Sequence, residues 1–219
     1  MVASELRSGG VKLRTRIKVC GITCPEHALI AADCGVDAIG LVFYPRSPRV
    51  VDLETASKIV EVLPPFMVSI ALFVNPTFGE VQKVTSQIYV NLLQFHGQES
   101  PEFCNSFGLP YLKAVPMRAG MDLEQIFQKY KESRGLLVDT YQPHTHGGTG
   151  VTFDWTQIQK KRSFPLILAG GLTQENVGQA IQEVHPYAVD VSSGVESQKG
   201  IKNPEKIKEF VWVVRKSDI

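Results

Sequence analysis

Cys20 and Asp139 are the residues of this sequence best placed to move protons. Cys20 ends the run Ile17-Lys18-Val19 and precedes Gly21-Ile22-Thr23, so it stands where a short β-type segment gives way to a loop. A thiol ionises near pH ~8.5, and a nearby cation or helix dipole lowers that value, so such a group can remove a carbon-bound proton. The competing role is that of an ordinary small, buried hydrophobe. Asp139 follows Leu136-Leu137-Val138 in the same manner. As a carboxylic acid kept protonated by partial burial it can protonate a ring oxygen, or it can accept backbone N–H groups and cap its loop.

Two further stretches suit an anion. Gly170-Gly171 and Ser192-Ser193-Gly194 each follow a short apolar run. Glycines let a backbone approach an anion closely, and converging N–H groups can bind its oxygens. Ser193-Gly194-Val195-Glu196 can also open a short helix with its positive end at the same point. Both loops together point to a phosphate, whereas either alone would be an ordinary turn. Arg49 carries a planar fork suited to a substrate carboxylate, with Arg46 as the alternative and the better candidate for a solvated loop charge. His96 either touches substrate or bonds within its loop. Asp190 is read as orienting the loop that follows it.

These residues need a scaffold that brings distant segments to one rim. Apolar runs rich in Ile, Val and Leu occupy 17–19, 38–43, 68–73, 92–95, 111–114, 136–138, 166–168 and 188–191. Their weak polar alternation suits parallel strands covered on both faces. Helical patterns lie between them. Thr23 is the expected cap of 25–34, with Gly35 as its stop, and Asp52 caps 53–63. Asp154 caps 155–160, Thr173 begins 174–184, and Asn203 with Pro204 starts the final helix. Strand–helix alternation implies right-handed βαβ units and one parallel sheet. Eight units without an interruption favour an α/β fold, a closed (β/α)8 or TIM barrel, with residues 1–219 as one domain and 1–14 as an extension of unassigned role. An open doubly wound sheet is the rival, but no G-x-G-x-x-G follows the first strand. In a barrel the strand ends at the C-terminal rim line the site, and phosphate sites recur after the last two strands.

Composition removes other classes. With 23 Lys and Arg against 22 Asp and Glu, the net charge is +1, which argues against a nucleic-acid binder held by phosphate attraction. The alternation Lys12, Arg14, Arg16, Lys18 reads as a solvated basic approach to the first strand. No apolar core of a signal peptide begins the chain, and no run approaches the ~18 apolar residues of a membrane span. Cys20-x3-Cys24 has no second Cys/His pair at ligand spacing, so no metal site is expected. Few cysteines suit reduced thiols in a cytoplasm.

In order, the chain carries Lys18-Val19-Cys20-Gly21-Ile22-Thr23, Tyr44-Pro45-x-Ser47-x-Arg49, and Gln94-Phe95-His96-Gly97. Then come Asp139 with Gly147-Gly148-x-Gly150-x-x-Phe153-Asp154-Trp155, Ala169-Gly170-Gly171-Leu172 with Asn176, and Asp190-Val191-Ser192-Ser193-Gly194-Val195-Glu196. Together these resemble the phosphoribosylanthranilate isomerase family from about Ile17 to Phe210. The resemblance implies a (β/α)8 barrel without metal or organic cofactor, acting on a small phosphorylated substrate in tryptophan biosynthesis as a monomer or homodimer. It implies Cys20 as general base, Asp139 as general acid, Arg49 on the anthranilate carboxylate and the two glycine loops on the phosphate. Phe95 departs from the usual Leu, an expected packing change, and Asn203 stands where Asp is common. The sister isomerase of histidine biosynthesis fits less well, since the first strand ends in Cys20 rather than Asp and no half-barrel repeat is visible. Indole-glycerol-phosphate synthase lacks support from any strand-end Lys/Glu pattern. A noncatalytic phosphate-binding barrel would have no need of both Cys20 and Asp139.

Overall fold

The strand runs close on themselves. In the computed structural model, which describes residues 14–140 and 154–218, eight parallel strands form a closed barrel in sequence order. They are β1 (Arg16–Cys20), β2 (Ala38–Val42), β3 (Val68–Phe73), β4 (Leu92–Phe95), β5 (Tyr111–Met117), β6 (Leu136–Thr140), β7 (Leu166–Leu168) and β8 (Ala188–Val191). Closure comes from β1 pairing with β8, with Arg16 opposite Ala188 and Val19 opposite Val191. The expected (β/α)8 architecture is therefore the observed one. Residues 1–13 and the glycines at 147, 148 and 150, with Phe153, lie outside the described residues.

Helices α1 (Pro25–Asp33), α2 (Leu53–Glu61), α3 (Phe78–Gln87), α4 (Pro101–Asn105), α5 (Leu123–Lys129), α6 (Val177–Val184) and α7 (Pro204–Ser217) cover the barrel. Asp52 accepts from the Thr55 amide and Asn203 from the Lys206 amide, as their positions led one to expect. Three expectations fail locally. Thr23 does not cap α1; its hydroxyl donates to the Gly200 carbonyl at 2.7 Å, and Cys24 occupies the cap without a side-chain bond. The segment after Asp154 makes only a 3₁₀ turn, Trp155–Gln157. Thr173 starts a turn rather than a helix, and α6 begins after Asn176.

Strand periodicity sorts the side chains into two layers, because successive residues point to opposite faces. Ile17, Val19, Ile39, Leu41, Ala71, Phe73, Leu93 and Phe95 join the helices in the main core. Phe95 packs edge-on against Phe103 and Tyr111, so the substituted position is a packing one. The other parity fills the barrel: Ile70, Leu112, Ala114, Leu137, Ile167, Ala169 and Ala188 cluster inside. The same inward rows also carry Cys20, Val42 and Leu72 together with polar Lys18, Gln94, Asp139 and Asp190, all buried, with Gln94 level with Leu72. An apolar floor thus supports a polar layer at the C-terminal end.

Candidate active site

That polar layer forms the base of a cavity of about 320 Å³. Cys20, Arg49, His96, Asp139, Gly170, Gly171, Ser192 and Ser193 all line it, and Gly194 backs it against the neighbouring loop. The residues singled out by type and position therefore converge on one space. Arg46 also reaches the mouth, but it is exposed whereas Arg49 is buried.

The anion end is built from the loops after β7 and β8. Gly170 has φ +85°, and a Cβ there would lie 2.3 Å from the Thr140 hydroxyl and 2.8 Å from Asp139 Oδ1. Only glycine lets this loop pass so close to the end of β6. Asn176 fixes the same loop by donating to the Gly171 carbonyl at 2.9 Å and accepting from the Thr173 amide at 2.8 Å. The expected short helix after β8 is a single 3₁₀ turn, Ser193–Val195, and Glu196 leaves it to begin a strand. So short an element supplies individual N–H groups rather than a helix dipole.

From the loop after β2, Arg49 Nε and Nη2 donate to the two carboxylate oxygens of Glu196, each at 2.7 Å. One edge of the fork is thus occupied by the protein, and the Nη1 side has no hydrogen bond to a described residue. Glu196 and Lys202 come from a hairpin, β9 (Glu196–Gln198) with β10 (Ile201–Lys202), that strand periodicity in the sequence did not reveal. Lys202 Nζ donates to Glu196 at 2.7 Å and to the Ser192 carbonyl at 3.1 Å, so one buried network joins the arginine to the β8 loop. Burial pushes the Glu196 carboxyl up, but Arg49 and Lys202 outweigh it and hold the group below the usual carboxylate range.

Asp139 sits between His96 and the β6 backbone. Its Oδ1 accepts from the Thr140 amide at 2.7 Å, and its Oδ2 lies 3.3 Å from His96 Nε2. His96 Nδ1 in turn lies 3.0 Å from Gln94 Nε2, while the buried Gln94 Oε1 has no partner among the described residues. Amide rotation would let that oxygen accept from Nδ1, so either histidine tautomer can be held. His96 thus faces Asp139 in the site itself, while its hydrogen bond is to Gln94 on β4. Its loop is pinned from behind by Lys113, which donates to the Gly97 carbonyl at 2.7 Å and to Glu99 at 3.0 Å.

Cys20 departs from the expected direction. Burial pushes its thiol above the ordinary value, with Lys18 and Lys202 opposing and Asp190 adding to the rise. Lys18 itself overturns the reading of a solvated basic face. Arg14 does pair with Asp37 at the surface, but Lys18 is buried and donates to Asp190 at 2.9 Å. Asp190 accordingly anchors an ion pair in the barrel rather than the backbone of its loop. The signal for Lys18 was present: it precedes Cys20 by two residues, and the period of a strand is two.

Comparison with known proteins agrees with this geometry. A family model described as N-(5'-phosphoribosyl)anthranilate isomerase matches residues 17–213. An N-(5'-phosphoribosyl)anthranilate isomerase of Azotobacter vinelandii is 51% identical over 200 residues, covering 91% of this chain and 97% of its own length. One from Pseudomonas putida is 50% identical over 202 residues, covering 92% and 98%. The crystal structure of the Thermotoga maritima phosphoribosyl anthranilate isomerase superposes with a TM-score of 0.85 at 40% identity, covering 92% of this chain and 99% of that one. Another phosphoribosyl anthranilate isomerase, solved with reduced 1-(o-carboxyphenylamino)-1-deoxyribulose 5-phosphate, gives 0.79 at 36% identity, covering 92% and 99%. With a closed barrel, a polar rim and a sequence match along nearly its whole length, the chain belongs to the N-(5'-phosphoribosyl)anthranilate isomerase family.

Proposed function

We propose that Cys20 and Asp139 are the base and acid with which this chain performs the family's reaction, an aldose–ketose isomerisation in tryptophan biosynthesis. The substrate is N-(5'-phosphoribosyl)anthranilate and the product 1-(o-carboxyphenylamino)-1-deoxyribulose 5-phosphate. The observation that carries the assignment is the shared cavity: thiol, carboxyl, arginine fork and glycine loops line one space. Asp139 gives its proton to the furanose ring oxygen as the carbon–oxygen bond breaks, leaving a protonated Schiff base. The Cys20 thiolate takes the proton from the adjacent sugar carbon, and the carbon–hydrogen electrons form the enolamine double bond. The enol hydroxyl returns a proton to Asp139 while the Cys20 thiol gives its proton to the former anomeric carbon, which yields the aminoketone and restores the thiolate. Protons balance and no electrons are exchanged with a cofactor. The direct test is loss of anthranilate fluorescence when freshly made substrate meets the purified protein; unchanged fluorescence would sink the assignment.

Phosphate is assigned to the amides of Gly171 and Ser193, which no described residue accepts from. Gly171→Asp places a like charge at that point. It should raise KM by roughly tenfold or more, matching about 1–4 kcal/mol for a close charge pair in partly screened surroundings. Steady-state kinetics decide it, and an unchanged KM would move the phosphate elsewhere.

The anthranilate carboxylate is assigned to the Nη1 side of Arg49. Arg49→Lys keeps a charge but cannot bridge Glu196 and a second carboxylate at once. The expected loss in kcat/KM corresponds to about 1.5–3 kcal/mol, as for one charged hydrogen bond. Wild-type kinetics would pass the role to Arg46 or to no arginine.

We further assign the enzyme to the cytoplasm, without nucleic-acid partners and as a monomer or homodimer. A related Thermotoga maritima isomerase is described as dimeric, and no described helix is long and apolar enough to cross a membrane. Sedimentation equilibrium separates the two oligomeric states.

A further inference from the structure

Two charged groups on the inward rows of β1 and β8 have no part in the proton transfers above. Lys18 Nζ donates to Asp190 Oδ2 at 2.9 Å, with side chains only 4% and 7% exposed. The same ammonium also faces the Cys20 thiol, which stands two residues further along the same inward row of β1. Gly40 on β2 leaves room for both groups side by side, because a Cβ there would lie 2.8 Å from Cys20 Sγ and 3.2 Å from Lys18 Nζ. Stability does not account for this pair. A buried ion pair commonly contributes no more than well-packed apolar residues of the same volume, because desolvation offsets its attraction. What an ammonium adds at this spot is charge beside sulfur, in a site where burial alone opposes ionisation.

We propose that Lys18 is a positioning residue for the isomerisation: its ammonium, anchored by Asp190, stabilises the thiolate of Cys20 beneath the substrate. The proposal rests on Cys20 being the base. The thiol proton leaves to solvent, the thiolate later takes the proton of the sugar carbon, and Lys18 and Asp190 keep their own protonation throughout. Asp190 has a double effect. It holds the ammonium in place, and its own negative charge weakens the pull of that ammonium on sulfur. The other charges facing the thiol are Lys202 from β10 and Arg49 from the loop after β2, while Asp139 and His96 face Asp190 across the cavity.

Opposite shifts in one thiol profile test this. Iodoacetamide alkylation of Cys20 is followed by peptide mass spectrometry on the full-length protein without substrate, from about pH 6 to pH 10. Lys18→Met should move the midpoint up by about one unit or more, the usual effect of losing a close opposite charge. Asp190→Asn should move it down, since the ammonium then acts on sulfur unopposed. Midpoints are compared rather than rates, because a thiolate of lower pKa is also a weaker nucleophile. If Lys18→Met does not fold, the double variant Lys18→Met/Asp190→Asn removes both charges and should still titrate above the wild type. A purely structural pair would lower the melting temperature of the variants and leave the midpoints together. Coincident midpoints, or an upward shift in Asp190→Asn, would overturn the proposal. Failure of the base assignment itself would appear elsewhere, in the turnover of Cys20→Ser.

Discussion

Cys20→Ser should lower turnover by about 10²–10⁴-fold, the usual contribution of a general base, while the barrel stays folded. The hydroxyl nearly matches the thiol in shape, so the polar layer around it keeps its packing. Its proton is far harder to remove, and Lys18 cannot make up that difference. The competing role is packing, since Cys20 clusters with Val42, Leu72 and Val74. A packing residue would show the reverse pattern, a lowered melting temperature with turnover nearly intact. Measuring both quantities on one preparation separates the two. The pH profile adds a sign: because burial raises the wild-type thiol, activity should still be climbing above the ordinary thiol range. An acidic limb complete below pH ~7 would assign the base to another group.

Asp139→Asn should be as damaging, again about 10²–10⁴-fold in kcat, because it removes the transferable proton but little else. The amide oxygen can still accept from the Thr140 amide, as Oδ1 does at 2.7 Å. Its NH₂ group can face His96 Nε2 once Gln94 turns its free oxygen toward Nδ1. The site therefore has a way to accommodate asparagine without rearranging. Binding of a reduced product analogue, measured by calorimetry, should change much less than kcat. Loss of analogue binding in proportion to kcat would make Asp139 a binding group instead, and near-normal turnover would remove it from the chemistry.

Much of this architecture was legible before any coordinates. Parallel strands covered on both faces must be apolar on both faces, so eight Ile-, Val- and Leu-rich runs were visible as runs. Caps such as Asp52 and Asn203 were legible because capping is local: the side chain bonds an amide three residues away. Strand ends were less so. β5 runs on to Met117 through Pro116, which lacks an N–H; β4 has already ended its pairing at Lys113, and Pro116 pairs only with β6. Glycine pairs and the strand-end cysteine and aspartate were visible because a barrel gathers its strand ends at one rim.

What the tertiary structure alone decided is how those groups are partnered. Arg49 is gripped by Glu196, 147 residues away, and Lys18 by Asp190, 172 residues away. Local composition made Lys18 one more member of a basic, solvated run. Closure of β1 against β8 turned it inward instead, where an unpaired ammonium could not persist and a carboxylate from the last strand was the neighbour available. The order of residues thus determined the barrel and its rim, through local periodicity and capping. Closure of the first strand on the last determined the electrostatic surroundings of the thiol, because charges buried at that distance in sequence meet only when the barrel is complete.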